Sequence, residues 1–378
     1  MTKKTNDPGV VQLTSLASVA LLAPALRIIP QVNTQLAGHL SWLSPLFAIP
    51  IILLIVALVG AFMKYQRPGE GLGAAILRAL GKPVGSAVLA IYALWLLLYA
   101  GFLLRSGANR FTSTIYPNTN SAIFICITLL LCLVSTLGNV KPLARCAEIF
   151  RPLLFAVLAF VIFFSIFELD PASLLPVTGQ GLLKAGVGAA PVINVVGSIL
   201  VLIGYPIGVS KKSELPWDTK RMAKWSVKAC IFLSLLTAII VGTSNMELTL
   251  NNSRPFFILI RNLNIFGLAE HIEAPITALW LFPDFILVSL TLFVAAATLR
   301  LILGKQETED RPKITDFKNG RWIIPLCAAI ALVTGLVLPD SDFALKHISE
   351  VIVPIVSTSV SCGMLFLIYI IGKIRKKI

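Results

Sequence analysis

Long, nearly uninterrupted apolar stretches dominate this chain, at about 11–32, 42–63, 84–104, 120–138, 151–168, 188–209, 226–246, 274–303, 322–339 and 351–372. Each is close to the roughly 20 residues that carry a helix across a hydrocarbon core about 30 Å thick. A backbone in lipid must satisfy every N–H and C=O within the protein, so such stretches fold as helices, and the alternating pattern of a membrane barrel is missing. Only 13% of residues are charged and 57% are hydrophobic, whereas a soluble domain carries about 25% charge. The expectation is an all-α polytopic membrane protein: ten transmembrane helices in one transmembrane domain over residues 1–378.

The formal charge of +14 could suggest nucleic acid, but Lys and Arg punctuate the apolar spans instead of gathering on a soluble face. Their distribution reads as topology. With the N-terminus inside, 25 of the 32 basic residues fall in inner segments, six (Arg105, Arg110, Lys184, Arg254, Arg261, Lys346) fall in outer ones, and Arg27 lies within the first span. That bias predicts that both ends are cytoplasmic. Two outer connections, about 169–187 and 247–273, are long and carry apolar pieces of their own, so short interfacial or re-entrant helices are expected there.

Chemistry-bearing patterns are sparse. Five of the six cysteines sit in apolar stretches without a Cys-x-x-Cys pair, and His39, His271 and His347 are far apart, so no metal site is expected. A Gly-rich phosphate loop, a nucleophile elbow and paired catalytic carboxylates are all missing, which leaves neither catalysis nor a cofactor with a candidate. No small-residue cleavage site follows the first span, so no removed signal peptide is expected.

Ten spans divide into two sets of five, about 11–168 and 188–372, and an odd-numbered set forces the second copy to enter from the opposite side. This permits an inverted-repeat transporter, in which the first helix of each half breaks at mid-membrane to free backbone groups for a substrate. In the first span, Ala23-Pro24-Ala25 offers such a break or a simple proline kink. In the sixth, Gly197-Ser198 and Gly204-Tyr205-Pro206-Ile207-Gly208 offer another. Arg27 is the costliest residue in the chain, at least about 2.5 kcal/mol unless it meets water or an anion. Three readings stand open: snorkelling to the outer surface, a ligand carboxylate, or an ion pair with Asp284, the one acid of the eighth span. Tyr92, Trp95, Tyr99 and Phe102 share one face of the third span, either as packing or with Tyr99 lining a cavity. The candidate ligand site is therefore Ala23, Pro24, Arg27, Tyr99, Ser198, Gly204, Tyr205, Pro206 and Asp284.

Order and spacing then resemble one family. Leu174-Leu175-Pro176 with Gly179 and Gly181 is similar to a Pro-containing segment and Gly-rich step; Arg254-Pro255, Glu270-His271-Ile272-Glu273 and Trp280 follow, then Pro339-Asp340 and a basic tail, while Leu13-Thr14-Ser15 and Pro30 look like the opening helix. Together they resemble the spore-germination receptor B-subunit family, a branch of the amino acid-polyamine-organocation transporters. The resemblance implies a leucine-transporter-like fold with a 5+5 inverted repeat in a bacterial cell or spore inner membrane. It also implies recognition of a small nutrient, typically an amino acid, beside an A-type membrane subunit and a C-type lipoprotein; an ordinary proton- or sodium-coupled amino-acid permease is the alternative. The chain departs from that family where Ala23-Pro24-Ala25 replaces a Gly-x-Gly, where Arg27 replaces an apolar residue and where Pro206 replaces a frequent Glu.

Overall fold

The computed structural model describes residues 10–64, 71–137, 140–175, 177–205, 217–244, 249–250, 255–262, 273–304 and 322–375. They are helical almost throughout, with no strand among the described residues. In chain order the helices are α1 (Val10–Arg27), α2 (Ile29–Ala37), α3 (Ser44–Lys64), α4 (Leu72–Leu80), α5 (Lys82–Thr114), α6 (Ser121–Leu137), α7 (Val140–Ile166), α8 (Gly179–Val187), α9 (Ala189–Gly204) and α10 (Thr219–Ser244). There follow α11 (Pro255–Asn262), α12 (Glu273–Leu279), α13 (Leu281–Ile302), α14 (Ile323–Val337) and a last helical stretch, α15 (Phe343–Ile374), which contains two π-turn segments, Ile348–Ile352 and Thr358–Gly363.

Seven described stretches are long and apolar enough to cross a membrane, and three shorter apolar helices, Val11–Arg27, Ser121–Leu137 and Ile323–Val337, fall at other expected spans. The long outer connections hold short elements as anticipated: a 3-10 turn at Pro171–Leu174 and α8 in one, α11 in the other.

A helix that is hydrophobic on every side belongs in the middle of a bundle. α1 meets that description, for Leu13, Leu16, Val19, Ala20, Leu22, Ala25 and Leu26 are all fully buried, and it packs on α7, α9 and α13. The outer helices show the opposite pattern, with Leu130 and Val134 of α6, Ile149 and Phe163 of α7, and Val333 and Val337 of α14 exposed. An apolar surface of this kind is what lipid covers. The chain is a multi-pass membrane protein.

α5 is the spine of one half, packing on α6, α13 and α14. Its approach to α14 depends on Gly101, where an added Cβ would lie 2.5 Å from Thr334 Cβ and 2.8 Å from the Ala331 carbonyl oxygen. Only a residue without a side chain lets the two backbones meet this closely. The helix is also longer than its hydropathy announced: the apolar signal stops at about 104, yet the helix runs on to Thr114. Arg105 and Arg110, expected in an outer connection, therefore lie inside the bundle at 5% and 4% exposure.

Candidate functional site

The first helix does turn irregular, but four residues after the place its sequence suggested. α1 runs through Pro24, whose neighbour Ile28 still donates its amide to the Pro24 carbonyl at 2.9 Å. The irregular turn is at Ile28 (φ −103°, ψ −47°), between the end of α1 and Pro30 in the first turn of α2; it stays in the α region, and its carbonyl still accepts from the Val32 amide at 3.0 Å, so the helix is distorted there and not opened. Prolines at 24 and 30 cannot donate to the carbonyls of Ala20 and Leu26, so the helical ladder is weakened on both sides of Arg27.

Arg27 points across to α5. Its Nη1 donates to Ser106 Oγ at 2.7 Å and its Cζ sits 5.0 Å from the centroid of the Phe102 ring. Its Nε and Nη2 are enclosed and have no hydrogen-bond partner among the described residues. The side chain as a whole is half-buried, and its hydrogen bond turns it toward α5, which weighs against snorkelling to the outer surface. The postulated Arg27–Asp284 pair is also not formed: Asp284, in the first turn of α13, makes its ion pair with Arg110 Nη2 of α5. Asp284 reaches that partner over Gly107, where an added Cβ would stand 3.2 Å from its Oδ2. Asp284 pairs with Arg110 because that arginine, expected in a loop, extends from α5 directly beside it.

Around these groups is a notch lined by Ala23, Leu26 and Arg27 of α1, Ser106 and Arg110 of α5, Phe257 of α11, and Trp280 between α12 and α13. Its free space is about 10 Å³, enough for roughly one water. Arg110 Cζ lies 5.6 Å from the Phe257 ring, and Phe256 and Phe257 pack on the fully buried Trp280 at 5.4 and 6.2 Å. Arg110 Nε and Trp280 Nε1 are, like two nitrogens of Arg27, buried without a partner among the described residues.

The remaining candidates do not join this notch. Ser198 lies in an unbroken α9 and donates to Asn194 Oδ1 at 3.3 Å, so Gly197-Ser198 is not a break. Gly197 serves packing, with Cys362 and Ile55 close to where its Cβ would be. α9 does end at Gly204, and Tyr205 stacks on Tyr92 at 4.6 Å. But Tyr92 is fourteen positions before Ser106 on α5, about 21 Å along the axis at 1.5 Å per residue. Gly204 and Tyr205 thus belong to the other end of the bundle, against Val59, Met63 and Leu72. Pro206 lies outside the described residues. Tyr99 stacks between Trp95 (6.0 Å) and Phe102 (6.3 Å) as part of a packed stripe and does not line the notch. Ala23, Arg27 and, through Arg110, Asp284 are the expected residues that the fold brings together. Ser106, Arg110, Phe257 and Trp280 were missed; the spacing Tyr99, Phe102, Ser106, Arg110 continues the aromatic face of α5 and was the available signal.

A second polar cluster lies at the same level of α5 as the notch, one residue round the helix. Arg105 pairs with Asp340 through Nη2, donates from Nη1 to Ser121 Oγ at 3.1 Å, and has Nε 3.5 Å from the Pro339 carbonyl oxygen. Ser121 Oγ and Asn109 Nδ2 donate to the side chain and the backbone oxygen of Asp340 at 3.0 and 2.8 Å.

A central helix with an irregular turn, packed between long membrane helices, defines the class: this is a leucine-transporter-like fold. Solved structures agree. The nucleobase-cation-symport-1 family transporter Mhp1, in a closed conformation with bromovinylhydantoin bound, matches 96% of this chain and 77% of its own at 15% identity, TM-score 0.67. A sodium-coupled sialic acid symporter matches 97% and 79% at 13% identity, TM-score 0.58. MhsT in complex with L-phenylalanine matches 98% and 100% at 15% identity, TM-score 0.58. No curated protein matches the sequence. Residues 9–341 match the model of the spore germination protein family, the spore permeases, and the chain belongs to that family.

Proposed function

We propose that this protein is the nutrient-sensing B subunit of a spore germinant receptor, held in the spore inner membrane by ten spans with both ends cytoplasmic. It would work with an A-type membrane subunit and a C-type lipoprotein. The observation that carries the reading is the small, partly enclosed notch beside the irregular turn of a central helix, in a chain of the spore germination family. A sensor needs a ligand that binds one conformer of a bistable bundle better than another, and a helix weakened beside a cavity supplies the bistable element. Small molecules, an amino acid among them, occupy the structural neighbours of this fold, which supports a small nutrient here.

The second reading, a coupled permease, is favoured by the symporters among those neighbours. Deleting the gene from a spore former separates the two. The sensor reading expects dormant spores to lose their response to one nutrient class, with no uptake of that labelled nutrient into vesicles holding the purified chain. Germination unchanged, with uptake restored by the protein, would make it a permease. The orientation has its own check: in a cysteine-free background, an impermeant thiol reagent should label Asn118→Cys and spare Lys313→Cys.

A further inference from the structure

The chemistry of the notch is one-sided. Four of its enclosed nitrogens, Arg27 Nε and Nη2, Arg110 Nε and Trp280 Nε1, are N–H donors with no acceptor among the described residues. Two guanidiniums stand against one carboxylate, so the residues named here leave one positive charge uncompensated. Donors in excess and a surplus of charge, enclosed together, call for an anion. The geometry narrows which one. Both guanidiniums are held from behind by aromatic faces, Arg27 on Phe102 and Arg110 on Phe257, and each is tied at one end, to Ser106 or Asp284. Arg27 thus presents a free two-nitrogen fork, Nε and Nη2, to which Arg110 adds its Nε, and a fixed planar fork matches a planar two-oxygen acceptor far better than a sphere or a neutral amide.

We infer that Arg27 and Arg110 form a two-arginine clamp for the carboxylate of the nutrient, with Asp284 as the positioning residue that keeps Arg110 facing it. The inference rests on the sensor reading above and adds the ligand class and the residues that select it. Binding brings the site to two positive and two negative charges. The notch now has room for about one water, so a carboxylate is admitted only when α1 and α2 yield at Ile28; closing the clamp on the anion then couples occupancy to the position of the central helix.

The test uses the purified full chain in lipid nanodiscs and follows its melting by tryptophan fluorescence at constant ionic strength. The probes are acetate, propionate, L-lactate and L-alanine, each beside its amide, together with chloride. At least one carboxylate should raise Tm by several degrees at saturation, with its amide and chloride inert. Arg27→Lys, which keeps the charge but loses the fork, should weaken that carboxylate roughly tenfold or more. Arg110→Lys, which retains a cation for Asp284, should do the same. Equal shifts from acid and amide, an equal shift from chloride, or unchanged affinity in both Lys variants would overturn the clamp. So would the absence of any carboxylate shift. These outcomes leave the sensor reading to be judged by the spores, because a nutrient class lost on gene deletion stands whether or not it carries a carboxylate.

Discussion

Arg105 on α5 and Arg27, which reaches α5 from α1, are treated in opposite ways. Arg105 has Asp340, Ser121 and the Pro339 carbonyl around its guanidinium. Arg27 has one serine hydroxyl and the face of a phenylalanine. A buried charge that serves the fold closes its network with the protein's own acceptors. An enclosed arginine left with spare N–H groups points outside the chain for its last partner. The contrast also explains the Pro339-Asp340 pair singled out by the family resemblance: it supplies the acceptors that finish Arg105.

The largest effect expected from breaking this arrangement is at Asp284. Asp284→Asn strands Arg110 at 4% exposure, and losing one partner of a buried pair costs about 3–5 kcal/mol. A steep fall in yield and Tm of the purified protein is expected. Adding Arg110→Met should recover most of the loss, and adding Arg27→Met should recover less. Better rescue by Arg27→Met would restore the pairing that the sequence suggested and remove the contrast.

Arg105→Met should cost less. Its partner carboxylate is 71% exposed and is not stranded, so the loss is that of a few charge-assisted bonds, about 1–3 kcal/mol. Melting in detergent should register it, whereas nutrient response should persist. An Arg105→Met protein as stable as wild type would mean that the closed network at the end of α5 contributes nothing.

Much of this was legible before the fold. The spans, the short elements in the long outer connections and the expense of Arg27 all follow from hydropathy and burial cost, which are local properties of the chain. What failed depended on depth and azimuth. Polar residues at the end of α5 hide ten residues of helix, so the sequence puts Arg110 in a loop and leaves Arg27 as the one arginine to weigh as a partner for Asp284. At Pro24 the sequence leaves a break and a simple kink equally open, because a proline weakens the turn before it; the turn after it still closes, and the irregular turn falls at Ile28, where Pro30 removes a second donor. Gly204-Tyr205 was placed with Arg27 because both lay near helix breaks, but hydropathy does not show that two breaks sit about 20 Å apart along α5.

The smallest expected change in stability is also the most discriminating. Arg27→Met forfeits the Ser106 hydrogen bond and the Phe102 contact, together about 1–3 kcal/mol. It also removes an enclosed charge and two N–H groups whose desolvation nothing in the described residues repays, a gain of similar size. The two nearly cancel, so Tm should stay within the shift of about 1 kcal/mol, in either direction, while nutrient response disappears. Arg105→Met should give the reverse, a lower Tm with response retained. If Arg27→Met instead melts as early as Arg105→Met, its guanidinium is fully used by the fold, and the two arginines differ in place but not in role. A stable Arg27→Met protein that no longer responds would separate the residue that binds from the residues that only hold the bundle together.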